Sequence, residues 1–81
     1  MMTIKEIPVT KCCFAHAGTY GHECDKPAVM VGVKTGAPDW EDGIFYAGRC
    51  AECATIRGGE NAGLKIEPLN GQVNRIKVWM L

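Results

Sequence analysis

Two cysteines separated by two residues, Cys50 and Cys53, are the part of the sequence best suited to chemistry. A Cys-x-x-Cys on a tight turn places both sulfurs on one side of the backbone, and a tetrahedral Zn²⁺ needs thiolates paired in this way. One pair supplies half of a site. Other residues of ligand type fall within thirteen upstream positions: Cys12, Cys13, His16, His22 and Cys24. The pattern predicts a metal site that joins the two regions.

The predicted ligands from the upstream region are Cys13 and Cys24. Cys12 and Cys13 are adjacent, so their side chains diverge and only one of them reaches a metal. If Val9 faces the core, strict alternation puts Cys13 on the same face. Cys12 in place of Cys13, and His16 or His22 in place of a cysteine, remain alternatives. The predicted set for one structural Zn²⁺ is Cys13, Cys24, Cys50 and Cys53.

The chain of 81 residues is short enough to form a single domain, residues 1–81. An apolar core of this size supplies only about 3–5 kcal/mol, so small domains commonly add disulfides or a metal. The first residues carry Lys5 and Glu6, and no apolar run is long enough for a secretory signal or a membrane span. We therefore expect a cytoplasmic protein, in which reduced thiols favour metal over disulfides. The odd count of five cysteines also favours metal binding over disulfides.

The formal charge is balanced, with nine basic and nine acidic residues. Four thiolates around one Zn²⁺ would add further negative charge. Binding to a phosphate backbone depends on neutralisation by Lys and Arg. The balance therefore favours a protein partner, with nucleic-acid binding as the second candidate and no role at a membrane.

Alternating β-branched residues predict extended structure in the first half of the chain. Residues 2–9 are expected to form an edge strand or an extended lead-in, because Pro8 would interrupt a central ladder. Residues 28–34 form a strand, and the Gly/Pro-bounded turn 36–43 leads into a second strand, 44–47. This hairpin would bring the segments that contain Cys24 and Cys50 together at its open end.

The second half is expected to contain one short helix at most, over residues 51–57, which ends at Gly58-Gly59. Asn70-Gly71 lies between two extended segments, 64–69 and 72–81, and predicts a C-terminal β-hairpin. In the last strand, the apolar Ile76, Val78 and Met80 share one face and Arg75, Lys77 and Trp79 share the other. The predicted fold class is therefore a small β-rich, metal-stabilised domain.

From Cys12 to about Arg57 the chain resembles a zinc-ribbon or treble-clef type zinc finger. The resemblance rests on the ligand loop that ends in Cys24-Asp25-Lys26-Pro27-Ala28, on the hairpin, and on Arg49-Cys50-Ala51-Glu52-Cys53-Ala54. The upstream half departs from the usual pattern, because ten residues separate Cys13 from Cys24. The resemblance implies a structural zinc ion and a module that binds a partner.

Catalysis is not expected. A redox Cys-x-x-Cys calls for a βαβ context, which the sequence lacks. Zinc deaminases have His-x-Glu and Pro-Cys-x-x-Cys, whereas here His22 and Glu23 are adjacent and Arg49 stands in the place of the proline. Exposed aromatic residues are typical of binding surfaces, so Trp40 and Trp79 mark candidate partner surfaces, the latter together with Arg75 and Lys77.

Overall fold

The computed structural model describes residues 1–15 and 24–79. It contains five strands in two antiparallel sheets, and the only helices in these ranges are two 3₁₀ turns. The strands are β1 (Met2–Pro8), β2 (Met30–Thr35), β3 (Ile44–Arg49), β4 (Lys65–Pro68) and β5 (Val73–Trp79), and the turns are Cys53–Thr55 and Gly59–Asn61. The predicted fold class, a small β-rich domain, is confirmed. In the described parts of the chain, no helix has the length and apolarity needed to cross a membrane.

The central hairpin is formed by β2 and β3, in register from Thr35↔Ile44 to Met30↔Arg49. Gly36 and Gly43 bound its connection with φ of 78° and 70°, where a side chain would be strained. The apolar alternation of β2 buries Val31 completely. As predicted, the hairpin brings the chain that precedes Met30 next to the chain that follows Arg49.

The predicted C-terminal hairpin is wrong in its pairing, although both of its strands exist. β4 pairs with β2, from Met30↔Pro68 to Val33↔Lys65, whereas β5 pairs with β1. Gly71 has the expected positive φ of 74°. The Asn-Gly signal is local and specifies only the change of chain direction. The strand with which each segment pairs depends on the sheet edge that it meets in the folded chain. The chain therefore passes from one sheet to the other at Asn70-Gly71.

Trp40 and Asn74 take part in the contacts that join β5 to the hairpin. The Trp40 ring stacks on Phe45 at a centroid distance of 5.2 Å, and the backbone of Trp40 forms a bridge with Ile76. The Asn74 side chain accepts a hydrogen bond from Tyr46 N–H and donates one to Tyr46 C=O, each 2.8 Å long. Trp40 was expected to be exposed and is instead half-buried, because it packs on β3.

The predicted alternation along the last strand holds over the described residues. Ile76 and Val78 are half-buried, whereas Arg75, Lys77 and Trp79 are exposed. Met80, which was predicted to share the face of Ile76, lies outside the described residues.

Candidate metal centre

The upstream half of the site is a pair of antiparallel segments, residues 10–14 and 24–28. Their backbones are joined by hydrogen bonds from Ala28 N–H to Thr10 C=O (3.1 Å), from Cys12 N–H to Lys26 C=O (2.8 Å) and from Cys24 N–H to Phe14 C=O (2.9 Å). Cys24 therefore lies opposite Phe14, and residues opposite each other in an antiparallel pair share a face. Cys12, two residues from Phe14, lies on that same face.

The downstream half of the site follows directly from the end of β3. Cys50 comes after Arg49, and the chain then turns so that Ala54 N–H donates to Cys50 C=O at 3.0 Å. Cys53 N–H points at Cys50 Sγ, with a nitrogen–sulfur distance of 3.4 Å. The short 3₁₀ turn Cys53–Thr55 completes the predicted knuckle.

The two halves bring four cysteine sulfurs together. The Sγ atoms of Cys12, Cys24, Cys50 and Cys53 all lie within 4.8 Å of one another, and Cys24 Sγ is 3.9 Å from Cys50 Sγ. A tetrahedral ion with metal–sulfur bonds of about 2.3 Å needs sulfurs about 3.8 Å apart. Small movements would therefore complete such a geometry. These four thiols, called the metal centre below, can hold a metal ion.

Burial and hydrogen bonding give the thiols different affinities for protons. The Cys53 N–H hydrogen bond lowers the pKa of Cys50 to about 7, so that its thiolate is available near neutral pH. Burial raises the pKa of Cys53. A bound cation would replace the proton of such a buried thiol, because metal binding releases protons from its cysteine ligands.

Cys13, which was predicted as a ligand, lies outside the metal centre, and Cys12 takes its place. The Cys13 Sγ donates to Gly48 C=O over 3.7 Å and accepts from Arg49 Nη1 over 3.2 Å. The alternation argument identified a real face, because Val9 also lies against Gly48. That face is turned toward β3, however, and the other cysteines lie on the opposite face. His16 and His22, the alternative ligands, lie outside the described residues.

A buried polar network supports the downstream half and was not predicted. Arg49 is 1% exposed, and its Nε donates to Asn61 Oδ1 at 2.6 Å. Asn61 Nδ2 in turn donates to Cys53 C=O at 2.8 Å and to Ile56 C=O at 2.9 Å. The network thus fixes the turn that carries Cys53. Its sequence signal is Arg49 itself, a charged residue at the end of a strand and directly before Cys50.

A methyl group at Gly48 would overlap the carbonyl oxygen of Lys11, in the segment that carries Cys12. We expect Gly48→Ala to cost about 2–3 kcal/mol, because backbone cannot move aside as a flexible side chain can. The variant should also bind metal more weakly, since the Cys12 segment is displaced. Zinc titration and urea unfolding measure the two effects.

Gly63→Ala is the matched control for that substitution. Gly63 has φ of +77° with open space around it, so the added methyl costs only backbone strain of about 1–2 kcal/mol. Its metal affinity should equal that of the unmodified chain. If Gly48→Ala binds zinc as tightly as the unmodified chain does, the close approach of Gly48 to the Lys11 backbone does not position Cys12.

Comparison with protein-family models, with curated proteins and with solved structures gives no match to this chain. The resemblance to zinc ribbons and treble clefs therefore stays a prediction. What the geometry supports is coarser: a small β-rich domain with four clustered cysteines that are consistent with zinc binding.

Proposed function

We propose that the chain is a non-catalytic module stabilised by one Zn²⁺, which is bound by Cys12, Cys24, Cys50 and Cys53. The observation that carries the proposal is the clustering of four Sγ atoms contributed by three segments of the chain. A tetrahedral set of four sulfurs is typical of zinc or of iron–sulfur sites. A closed set with four protein ligands is the structural type of zinc site, whereas a catalytic zinc keeps one position open.

The surroundings of the metal centre also favour a structural role. Catalysis by zinc calls for a carboxylate that is held near the metal as a general base. Glu52 is adjacent in sequence to Cys53, but its side chain is 81% exposed and pairs with Lys26 at 3.2 Å. An exposed carboxylate that pairs with a lysine supports a structural role for the metal centre.

Within zinc folds, we propose a ribbon-type site rather than a treble clef. A treble clef continues from its second knuckle into an α-helix. Here Cys53 starts a single 3₁₀ turn, and Ile56 has already returned to extended backbone. The support for a ribbon-type site is strongest in the half that contains Cys50 and Cys53.

The candidate binding surface is the outer face of the paired strands β1 and β5. Directly opposite residues share this face, which holds Met2 opposite Trp79, Ile4 opposite Lys77 and Glu6 opposite Arg75. Trp79 is 75% exposed, and aromatic residues and arginine are enriched in binding hot spots. We propose a protein as the partner for this face.

Nucleic acid is the second candidate partner, favoured by Trp79 next to Lys77 on the same face, because bases stack on exposed aromatic side chains. The balanced net charge opposes it. Titration with single- and double-stranded nucleic acid over a range of salt separates the two. Micromolar or tighter binding with a steep salt dependence would replace the protein partner by nucleic acid.

The zinc proposal is tested by native mass spectrometry of protein purified without added metal, with cysteines counted by alkylation. We expect one zinc ion per chain, four thiols that react only after acid releases it, and one thiol, Cys13, that reacts in the native state. Absorption in the visible region would identify iron instead. A metal-free chain whose thiols are all reactive would contradict the proposal.

A further inference from the structure

The outer edge of β1 carries backbone groups whose directions follow from one hydrogen bond. Val9 N–H donates to Gln72 C=O at 3.4 Å, and Val9 and Gln72 continue the register that pairs Pro8 with Val73. Hydrogen-bonded and non-hydrogen-bonded pairs alternate along antiparallel strands. The backbone N–H and C=O groups therefore point at β5 in Thr3, Lys5 and Ile7. They point outward, away from β5, in Met2, Ile4 and Glu6.

Pro8 agrees with this assignment. It is an outward residue by the same alternation, and a strand tolerates proline where the missing N–H would face away from its partner. On β5, the two central outward residues are already paired, because Glu41 N–H donates to Arg75 C=O at 2.7 Å and Lys77 N–H donates to Asp39 C=O at 3.1 Å. Within the described residues, β1 is therefore the open edge of this two-stranded sheet.

The open edge is long and carries exposed apolar side chains. β1 has seven residues, of which only Thr3 is not exposed, and Met2, Ile4 and Ile7 are between 40% and 46% exposed. A sheet of two strands is marginal in water, and exposed apolar edges are templates for pairing with another strand. Lys5 and Glu6 are the charged residues that any partner strand must accommodate.

We propose that β1 pairs antiparallel with β1 of a second copy, about a two-fold axis that runs midway between the two copies of Ile4. Opposite residues in an antiparallel pair share a face, so an axis perpendicular to the sheet lies between a residue and its own copy. In this register Ile4 pairs with Ile4 and Met2 pairs with Glu6 of the second copy. Every outward N–H from Met2 to Glu6 then meets an outward carbonyl.

The registers centred on Lys5 and on Glu6 are less favourable. Centring the axis between two copies of Lys5 puts two lysines directly opposite each other and requires an N–H from Pro8. Centring it between two copies of Glu6 puts two glutamates opposite each other, and like charges in this position are destabilising. The register centred on Ile4 instead places Lys5 opposite Thr3. The product is a four-stranded sheet in the order β5, β1, β1, β5.

The test is sedimentation of the zinc-loaded chain from about 1 µM to about 1 mM, combined with amide exchange at both limits. We expect the mass to rise from one copy toward two. The Ile4 and Glu6 amides should gain protection with concentration, whereas the Lys5 and Ile7 amides should be protected throughout. A monomer at every concentration, or unprotected Ile4 and Glu6 amides in the dimer, would overturn the proposal.

Ile4→Pro removes an outward N–H without removing any hydrogen bond to β5. It should weaken the dimer by at least about tenfold, whereas Ile4→Val, which keeps the N–H, should dimerise as before. Zinc content and the amide spectrum report whether each variant is folded. A folded Ile4→Pro chain that dimerises normally would contradict the register. The β1 edge contains no residue of the metal centre, so a folded chain that dimerises in this register without zinc would refute only the proposed function.

Discussion

Cys12→Ser is expected to lose its metal and its folded structure, whereas Cys13→Ser, one residue away, is expected to keep both. Cys12 is 2% exposed and belongs to the metal centre, while the Cys13 thiol contacts Gly48 and Arg49. Structural zinc contributes about 10–16 kcal/mol of binding free energy. A core of this size supplies only about 3–5 kcal/mol, so the chain without its metal should not remain folded.

Zinc content and amide spectra of the two variants measure this difference. The substitution is chemically identical in both, so a general effect of losing a thiol is controlled. A strong chelator should give the unmodified chain the spectrum of Cys12→Ser, and added zinc should restore it. Tolerance of both substitutions would instead point to a ligand among the residues that the structure does not describe, where His16 and His22 lie.

The parts of the site that the sequence predicted depend on local chemistry. Cys50 and Cys53 lie on a turn whose spacing alone directs both sulfurs to one side. The hairpin of β2 and β3 could be predicted from alternating β-branched residues and a Gly/Pro-bounded turn, and it brings Cys24 to Cys50. Spacing and periodicity were sufficient for these features because each involves residues that are close in sequence or joined by one turn.

The parts that the sequence did not predict depend on which segments meet in space. The choice between Cys12 and Cys13 follows from the pairing of Phe14 with Cys24, a register that no local pattern contains. Alternation from Val9 correctly grouped Cys13 with Val9, but it could not show that β3 lies on that side. The same limit applies to Asn70-Gly71, where the turn was recognised and the strand partners were not.

Arg49→Met is expected to lower the free energy of unfolding by about 3 kcal/mol, although methionine fills much of the same space. Arg49 Nη1 donates to Gly48 C=O at 2.8 Å, and the guanidinium lies 5.3 Å from the centre of the Phe14 ring. The substitution leaves Asn61 Oδ1 buried without its donor, which costs about 1–3 kcal/mol, and hydrogen bonds to charged groups are worth about 1.5–3 kcal/mol. Arg49→Lys should not rescue it, because an ammonium lacks the planar fork of donors.

Urea unfolding at a fixed free zinc concentration measures this loss, since the bound ion itself shifts the apparent stability. Arg57→Met is the matched control: Arg57 is exposed, and a substitution there should stay within about 0.5 kcal/mol of the unmodified chain. Because Asn61 holds the carbonyl of Cys53, Arg49→Met should also weaken zinc binding, whereas Arg57→Met should leave it unchanged. If the two variants unfold alike, the contact between Arg49 and Asn61 does not hold the turn of Cys53, and the knuckle is maintained by its own backbone hydrogen bonds and the metal.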